Sequence, residues 1–248
     1  MSNRIFVAWQ DDATRKWHTI GRLTKEKDAY YFVFTKGVKY LRTIPFDLFR
    51  MDPKFQYRFE ELIPLFTNRI PSRSRGDFEK MAHWLNVREM GNEFELLSKF
   101  GLIPGTDSIL MYPEPAVADG RYELEFFVHA MRHMHKDVLD WSKKLEIGGR
   151  LLPLLDVQNP VDPCAVALRG EDDTILVGYI PTFYAEDIKR LLIDKKSCAS
   201  ARIKVVRTNQ DAPIQLRLLC RFESVVPSGF QVMQSEVHQP FVEFEKAR

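Results

Sequence analysis

An H-x-x-x-H-x-H set occupies His129, His133 and His135, with Arg132 inside it. Imidazoles at such spacing can hold zinc when carboxylates or thiolates complete the set. No carboxylate or cysteine stands at an obvious ligand spacing here. On a strand, alternate residues share a face, which would put all three histidines on one side. The set therefore reads as a solvent- or ligand-facing strand end, where the imidazoles and Arg132 could stack on bases or pair with phosphate. No metal is expected.

A second cluster, Asn68-Arg69-Ile70-Pro71-Ser72-Arg73-Ser74-Arg75, lies just ahead of an expected helix start. Backbone amides at a helix start attract anions, and the guanidinium fork suits phosphate or carboxylate. Asn68, Arg69, Arg73 and Arg75 are thus a candidate contact for an anion or a partner protein. The alternative is a solvated loop whose arginines pair with Asp77 or Glu79. The third cluster runs Asp156-Val157-Gln158-Asn159-Pro160-Val161-Asp162-Pro163-Cys164-Ala165. Its prolines enforce an extended, tightly turned path, and Asn and Asp side chains commonly satisfy such turns through nearby backbone. A carboxylate held in so rigid a loop can also accept a hydrogen bond from a sugar hydroxyl. No nucleophile elbow, P-loop, HExxH or GxGxxG occurs, and the Asp172-Asp173 pair falls in a solvated turn. Neither an enzyme nor a cofactor is expected.

These clusters need elements to hold them. Arg4–Trp9 and Trp17–Leu23 read as a hairpin that Asp28–Lys36 continues, its run Ala29–Thr35 being rich in aromatic and β-branched residues. Residues 55–66 are mixed and partly helical. Ser74-x-x-Asp77 resembles a capping box, with Phe78, Met81, Trp84 and Leu85 following at helical spacing. Glu93–Phe100 reads as a short helix stopped by Gly101. The Pro- and Gly-punctuated stretch 101–120 marks a domain boundary. Beyond it Arg121–Val128 alternates as a half-buried strand. Further strands are expected at 150–155, 165–168, 174–180, 202–207 and 215–223. A helix at Ala185–Ile193 should turn Ile188, Leu191 and Leu192 inward. The fold class is α+β: a small module over 1–112, a mostly β domain over 120–235 with one or two helices packed on a small barrel, and a tail over 236–248.

The 248 residues suffice for one large domain or two ordinary ones. A hydrophobic share of 45% and a charged share of 28% are those of a folded chain. The formal charge of +2 rules out binding of phosphate by bulk charge alone. Residues 1–50 carry ten Lys/Arg against five Asp/Glu, while 101–200 carry eleven against sixteen, so any polyanion site must be a local patch. No apolar run spans a bilayer, the N-terminus lacks a signal-peptide core, and three scattered cysteines, Cys164, Cys198 and Cys220, fit a reducing cytoplasm.

Read with what surrounds it, the third cluster resembles a HIRAN domain. Ala130-Met131-Arg132-His133, the leucine-rich Leu151–Leu155, Asn159-Pro160-Val161-Asp162-Pro163-Cys164-Ala165, Val177-Gly178-Tyr179-Ile180-Pro181 and the helix opening Ala185-Glu186-Asp187-Ile188 follow the family's order and spacing over roughly 120–235. The resemblance implies an OB-like β-barrel that binds nucleic acid, as single-stranded DNA or DNA ends. It implies Arg132 on phosphate or base, Asp162 on a terminal 3′-hydroxyl and Asn159 supporting that loop, with His129, His133 and Tyr179 beside them. His133 and Val161 stand where aromatics are usual. More weakly, Gly21-Arg22-Leu23, Tyr30–Phe34, the segment 66–75 and Gly105-Thr106-Asp107-Ser108 resemble the N-terminal subdomain of HipA-like toxin kinases. That likeness implies a module docking on a kinase-like or DNA-binding partner, such as a helicase or nuclease, within a toxin–antitoxin or phage-defence assembly.

Overall fold

The computed structural model describes residues 3–41, 51–103, 108–171 and 175–242. The Asp172-Asp173 turn, Gly105-Thr106-Asp107 and residues 243–248 lie outside them. The chain forms two compact units: Met1–Glu114 with Gln234–Arg248, and Pro115–Met233.

The first unit is built on an antiparallel sheet of β1 (Arg4–Gln10), β2 (Trp17–Glu26), β3 (Ala29–Phe34), β4 (Gln56–Phe59) and β5 (Ile109–Pro113), in the order β4-β3-β2-β1-β5. Among the described residues, helices α1 (Pro64–Thr67), α2 (Phe78–Trp84) and α3 (Glu93–Phe100) accompany it. Alternation sends Ile5, Val7, Leu23, Phe32 and Phe34 to one face, where they pack with Phe66, Phe94 and Leu97. Helix α3 starts where Asn92 accepts the Glu95 N–H at 3.2 Å and ends at Gly101. At that glycine a Cβ would sit 2.6 Å from the Leu97 carbonyl oxygen.

The mixed stretch 55–66 resolves into a strand and the start of helix α1. Residues 56–59 form the strand, because pairing with β3 satisfies their backbone while Tyr57 and Phe59 alternate into the core. The Ser74 capping box does not form: α2 begins at Phe78 after Asp77, whose carboxylate is held by Arg75. Nor do residues 236–242 trail away. The Lys36 N–H donates to Gln239 O and the Phe241 N–H to Phe34 O, both at 2.8 Å. His238 is buried against Phe6, Nε2 3.0 Å from Tyr112 Oη, which lies 2.5 Å from Thr19 Oγ1.

The second unit is a seven-stranded antiparallel sheet. Its members are β6 (Ala116–Ala118), β7 (Arg121–Phe127), β8 (Arg150–Leu155), β9 (Val166–Gly170), β10 (Leu176–Tyr179), β11 (Arg202–Thr208) and β12 (Leu218–Val225), in the order β10-β9-β8-β11-β12-β7-β6. Beyond β7, His129 and Tyr179 exchange both backbone hydrogen bonds at 2.9 Å. That pair joins the β10 edge to the extension of β7 and closes the sheet into an OB-like barrel. Its interior holds Tyr122, Leu124, Phe126, Leu151, Val166, Leu168, Ile203 and Phe222. Helices α4 (Asp137–Ser142), α5 (Thr182–Ile193) and α6 (Lys195–Ser200) complete the unit. Helix α5 buries Ile188 and Leu191, as its periodicity requires; Leu192 is only half-buried, and Asp187 is buried in its place. Among the described residues no helix is long and apolar enough to cross a membrane.

Candidate functional site

The loop between β8 and β9 is organised by one side chain. Asn159 Oδ1 accepts the N–H groups of Val161 at 3.0 Å and Asp162 at 3.1 Å, and its Nδ2 donates to Asp156 Oδ2 at 3.0 Å. Proline at 160 has no N–H to compete, so the amide turns the chain around itself. Asp162 Oδ1 then accepts the Cys164 N–H at 2.8 Å, and the Asp162 carbonyl accepts from Ala165 at 3.0 Å. Asp162 Oδ2 has no hydrogen-bond partner among the described residues and belongs to a half-buried side chain. Val157 and Val161 flank it at 76% and 74% exposure.

Asp156 is the hub behind this loop. Its Oδ2 also accepts the Tyr179 hydroxyl at 2.9 Å. Hydrogen bonds from Asn159 and Tyr179 hold the Asp156 carboxyl below the usual carboxylate range. Burial, with that carboxylate beside it, pushes the Tyr179 phenol up. Tyr179 thus braces the loop through Asp156, and its hydroxyl is already spent. Gly178 before it is required: a Cβ there would collide with the His129 carbonyl oxygen and sit 2.6 Å from Val128 Cγ1.

The histidine row does not lie on one strand. Ala130 adopts a left-handed conformation at φ 62°, and Met131–His133 form a 3-10 turn, so the chain leaves strand geometry right after His129. His129 is half-buried with its ring edge on Phe183 at 6.0 Å, and burial pushes its pKa down to about 4. It is neutral near pH 7 and supplies no positive charge to a phosphate. Arg132 and His133 are both exposed on the turn, with Arg132 Nε donating to His133 Nε2 at 3.0 Å. His135 pairs with Asp137 at 3.0 Å. Among the described residues no three His, Cys, Asp or Glu side chains group as metal ligands.

The structure therefore brings Asn159, Asp162 and Tyr179 together through Asp156, and ties His129 to Tyr179 through the backbone. The Arg132–His133 turn packs beside β10, the strand that carries Tyr179. Residue-type reasoning passed over Asp156, although an Asp three residues before an Asn in a proline-rich turn is itself a signal for a paired loop. It also passed over Lys189, whose Nζ reaches from α5 to the Pro163 carbonyl at 2.7 Å and puts a cation on the loop's rim. Only the fold brings residues this far apart in the chain together.

The arginine cluster of the first unit is committed internally. Arg69 donates to the Ile109 carbonyl at 3.2 Å, Arg73 to the Met90 carbonyl at 2.5 Å, and Arg75 chelates Asp77 at 2.5 and 3.0 Å. Asn68 is exposed at the end of α1.

The family model of the HIRAN domain matches residues 122–226. Among solved structures, the chain is similar to the HIRAN domain of human HLTF, at 12% identity over 45% of this chain and 84% of that one, with a TM-score of 0.34. It is also similar to a protein from Lactobacillus plantarum, at 16% identity over 44% of this chain and 100% of that one, with a TM-score of 0.33. No curated protein matches. A HIRAN domain thus occupies residues 122–226, taking in the whole Asp156–Asp162 loop, Arg132 and Tyr179. Nothing in these matches supports the HipA-like resemblance of the first unit.

Proposed function

We propose that the protein binds nucleic acid, that the HIRAN domain holds a single strand by its 3′ end, and that it acts by binding, not by catalysis. The observation that carries this reading is the Asn159-built loop. It fixes the Asp162 backbone, satisfies one carboxylate oxygen internally and keeps Oδ2 for an outside donor. A sugar hydroxyl is such a donor, and a terminal phosphate is not, since it would set anion against anion. Arg132 on its exposed turn and Lys189 on the loop rim supply charge for the adjoining phosphates. The aliphatic Val161 offers bases a smaller surface than an aromatic ring does, so affinity comes from charge and end recognition more than from stacking.

Fluorescence anisotropy with a labelled single strand tests the reading. Arg132→Gln should flatten the dependence of log K on log salt by ~0.7 for the lost phosphate contact. Asp162→Ala should weaken binding to a free 3′ end ~10-fold, while leaving an end-blocked strand unaffected, the charged-acceptor bond being worth about 1.5 kcal/mol or more. Wild-type protein that binds no single strand overturns the proposal. The alternative, a module docking on a partner through Arg69, Arg73 and Arg75, has less support because all three guanidinium groups already meet internal acceptors.

A further inference from the structure

The sheet of the first unit has a second face, opposite the one that packs on Phe66, Phe94 and Leu97. Strand register fixes which residues stand on it. Arg4, Thr24, Tyr31 and Arg58 are paired in one row across β1 to β4, and Phe6, Arg22, Val33 and Gln56 form the next. The C-terminal segment covers the Phe6 end through His238. Elsewhere on this face long side chains emerge: those of Arg58 on β4 and Arg4 on β1 are 56% and 43% exposed, and Tyr31 and Arg22 are half-buried.

Arg22 is the anomaly on this face. Its Nε is sealed from solvent without an acceptor, and its guanidinium makes no hydrogen bond or ion pair among the described residues. A guanidinium cannot shed its charge, and a charge removed from water normally meets a partner. The charged groups that act on it are Arg4 and Glu114, in opposite senses. Glu114 already accepts from Arg4 at 3.2 Å, so two cations share one carboxylate. The other acids here are Glu60, paired with Arg58 at 3.4 Å, and the exposed Glu26 at the end of β2. Arg58 is paired with Tyr31 across β3 and β4, which puts an aromatic ring beside it on the same face. Thr24 and Val33 are buried between these long side chains, and the arginines and the aromatic ring that stand over them suit single-stranded nucleic acid, whose phosphates seek the cations and whose bases seek the ring.

We propose that Arg4, Arg22, Tyr31 and Arg58 form a second polynucleotide-contacting surface, with Arg22 taking a backbone phosphate. The surface uses no residue of the HIRAN domain and goes beyond the reading given for it. Its chemistry is that of a phosphate oxyanion, which a polynucleotide or free phosphate could supply, and the test separates the two.

Full-length wild-type, Arg58→Gln and Arg22→Gln/Arg58→Gln proteins are titrated with a long labelled single strand over a range of salt. Each lost phosphate contact should make the slope of log K against log salt shallower by ~0.7, so ~1.4 for the double variant. Should the double variant fail to fold, the exposed Arg58→Gln alone should still remove ~0.7. Slopes equal to wild type overturn the proposal. So does saturable binding of inorganic phosphate that Arg22→Gln abolishes while the slopes stay unchanged, because the site then serves a free oxyanion. An Asp162→Ala protein run in parallel keeps the two readings apart. Lost end discrimination with the slope change intact counts against neither, whereas an Asp162→Ala protein that behaves as wild type removes the end-recognition reading and leaves this surface standing.

Discussion

Each unit holds its C-terminal segment with a buried titratable group, a base in the first and an acid in the second. His238 is 6% exposed and Asp187 3%, and each pins a segment near the C-terminal end of its own unit. His238 meets Tyr112 and accepts or donates to Ser235 Oγ at 2.7 Å. Asp187 accepts the Met233 N–H at 2.9 Å, while Arg190, 3.4 Å from the same carboxylate, lies over the Phe230 ring. Burial pushes His238 down to about 4 and Asp187 up to about 6. The same desolvation thus acts on groups of opposite charge type, and the two buried groups should answer pH in opposite senses.

The largest expected effect tests whether the two sheets are equally intolerant of bulk where backbones touch. A Cβ at Gly37 would collide with the Thr19 carbonyl oxygen in the first unit, as one at Gly178 would with that of His129 in the second. Neither backbone atom can swing aside. Gly37→Ala and Gly178→Ala should each cost about 3 kcal/mol or more in urea unfolding. Gly178→Ala should also unzip the His129–Tyr179 pair, seen as faster amide exchange at both residues. A cost below about 1 kcal/mol at either site would mean that its closure is soft.

Next comes pH. The His238 contribution is complete above the unfolded histidine value near 6.5 and is lost as pH falls toward 4. The Asp187 contribution is complete below the unfolded value near 3.8 and is lost as pH rises through about 6. His129 pulls the second unit in the same direction as His238, but from a half-buried position. Unit-resolved hydrogen exchange should therefore show the first unit losing about 2 kcal/mol between pH 7 and 5 while the second stays nearly flat. Asp187→Asn should unmask the His129 slope in the second unit. Parallel slopes in both units would contradict the buried-acid account.

The two polar loops make a finer contrast. Asn159→Ala removes three hydrogen bonds that define a backbone path and should cost about 2 kcal/mol. Arg73→Ala removes one exposed contact to a carbonyl and should cost about 0.5 kcal/mol or less. Thermal melts of the two variants check the difference. A gain-of-contact variant sharpens the site itself: Val161→Tyr places an aromatic surface beside Asp162 and should tighten single-strand binding ~10-fold, stacking being worth about 1–3 kcal/mol per base. No change would place Val161 off the path of the bases.

How far the sequence foretold this arrangement depends on range. Elements carrying their own periodicity and punctuation were legible. Ala29–Phe34 is a strand by its aromatics, and Glu93–Phe100 is a helix between Asn92 and Gly101. What depended on a distant partner was not. Residues 56–59 become a strand only because β3 offers an edge. Asp187, polar on a helix whose neighbours Glu186 and Lys189 face solvent or the site rim, is buried because residues 230–233 fold over it. The Asn159 turn was readable from Asn-Pro and Asp-Pro chemistry, whereas Tyr179 Oη reaching Asp156 across 23 positions was not.

The central claim is that the Asp162 carboxylate receives the hydroxyl of a strand terminus. Its most direct test is the ratio of dissociation constants for one single strand carrying either a free 3′-hydroxyl or a 3′-phosphate, at fixed salt. The account predicts ~10-fold tighter binding of the free end, about 1.4 kcal/mol, with the ratio collapsing to one in Asp162→Ala. Equal constants in the wild-type protein would contradict it.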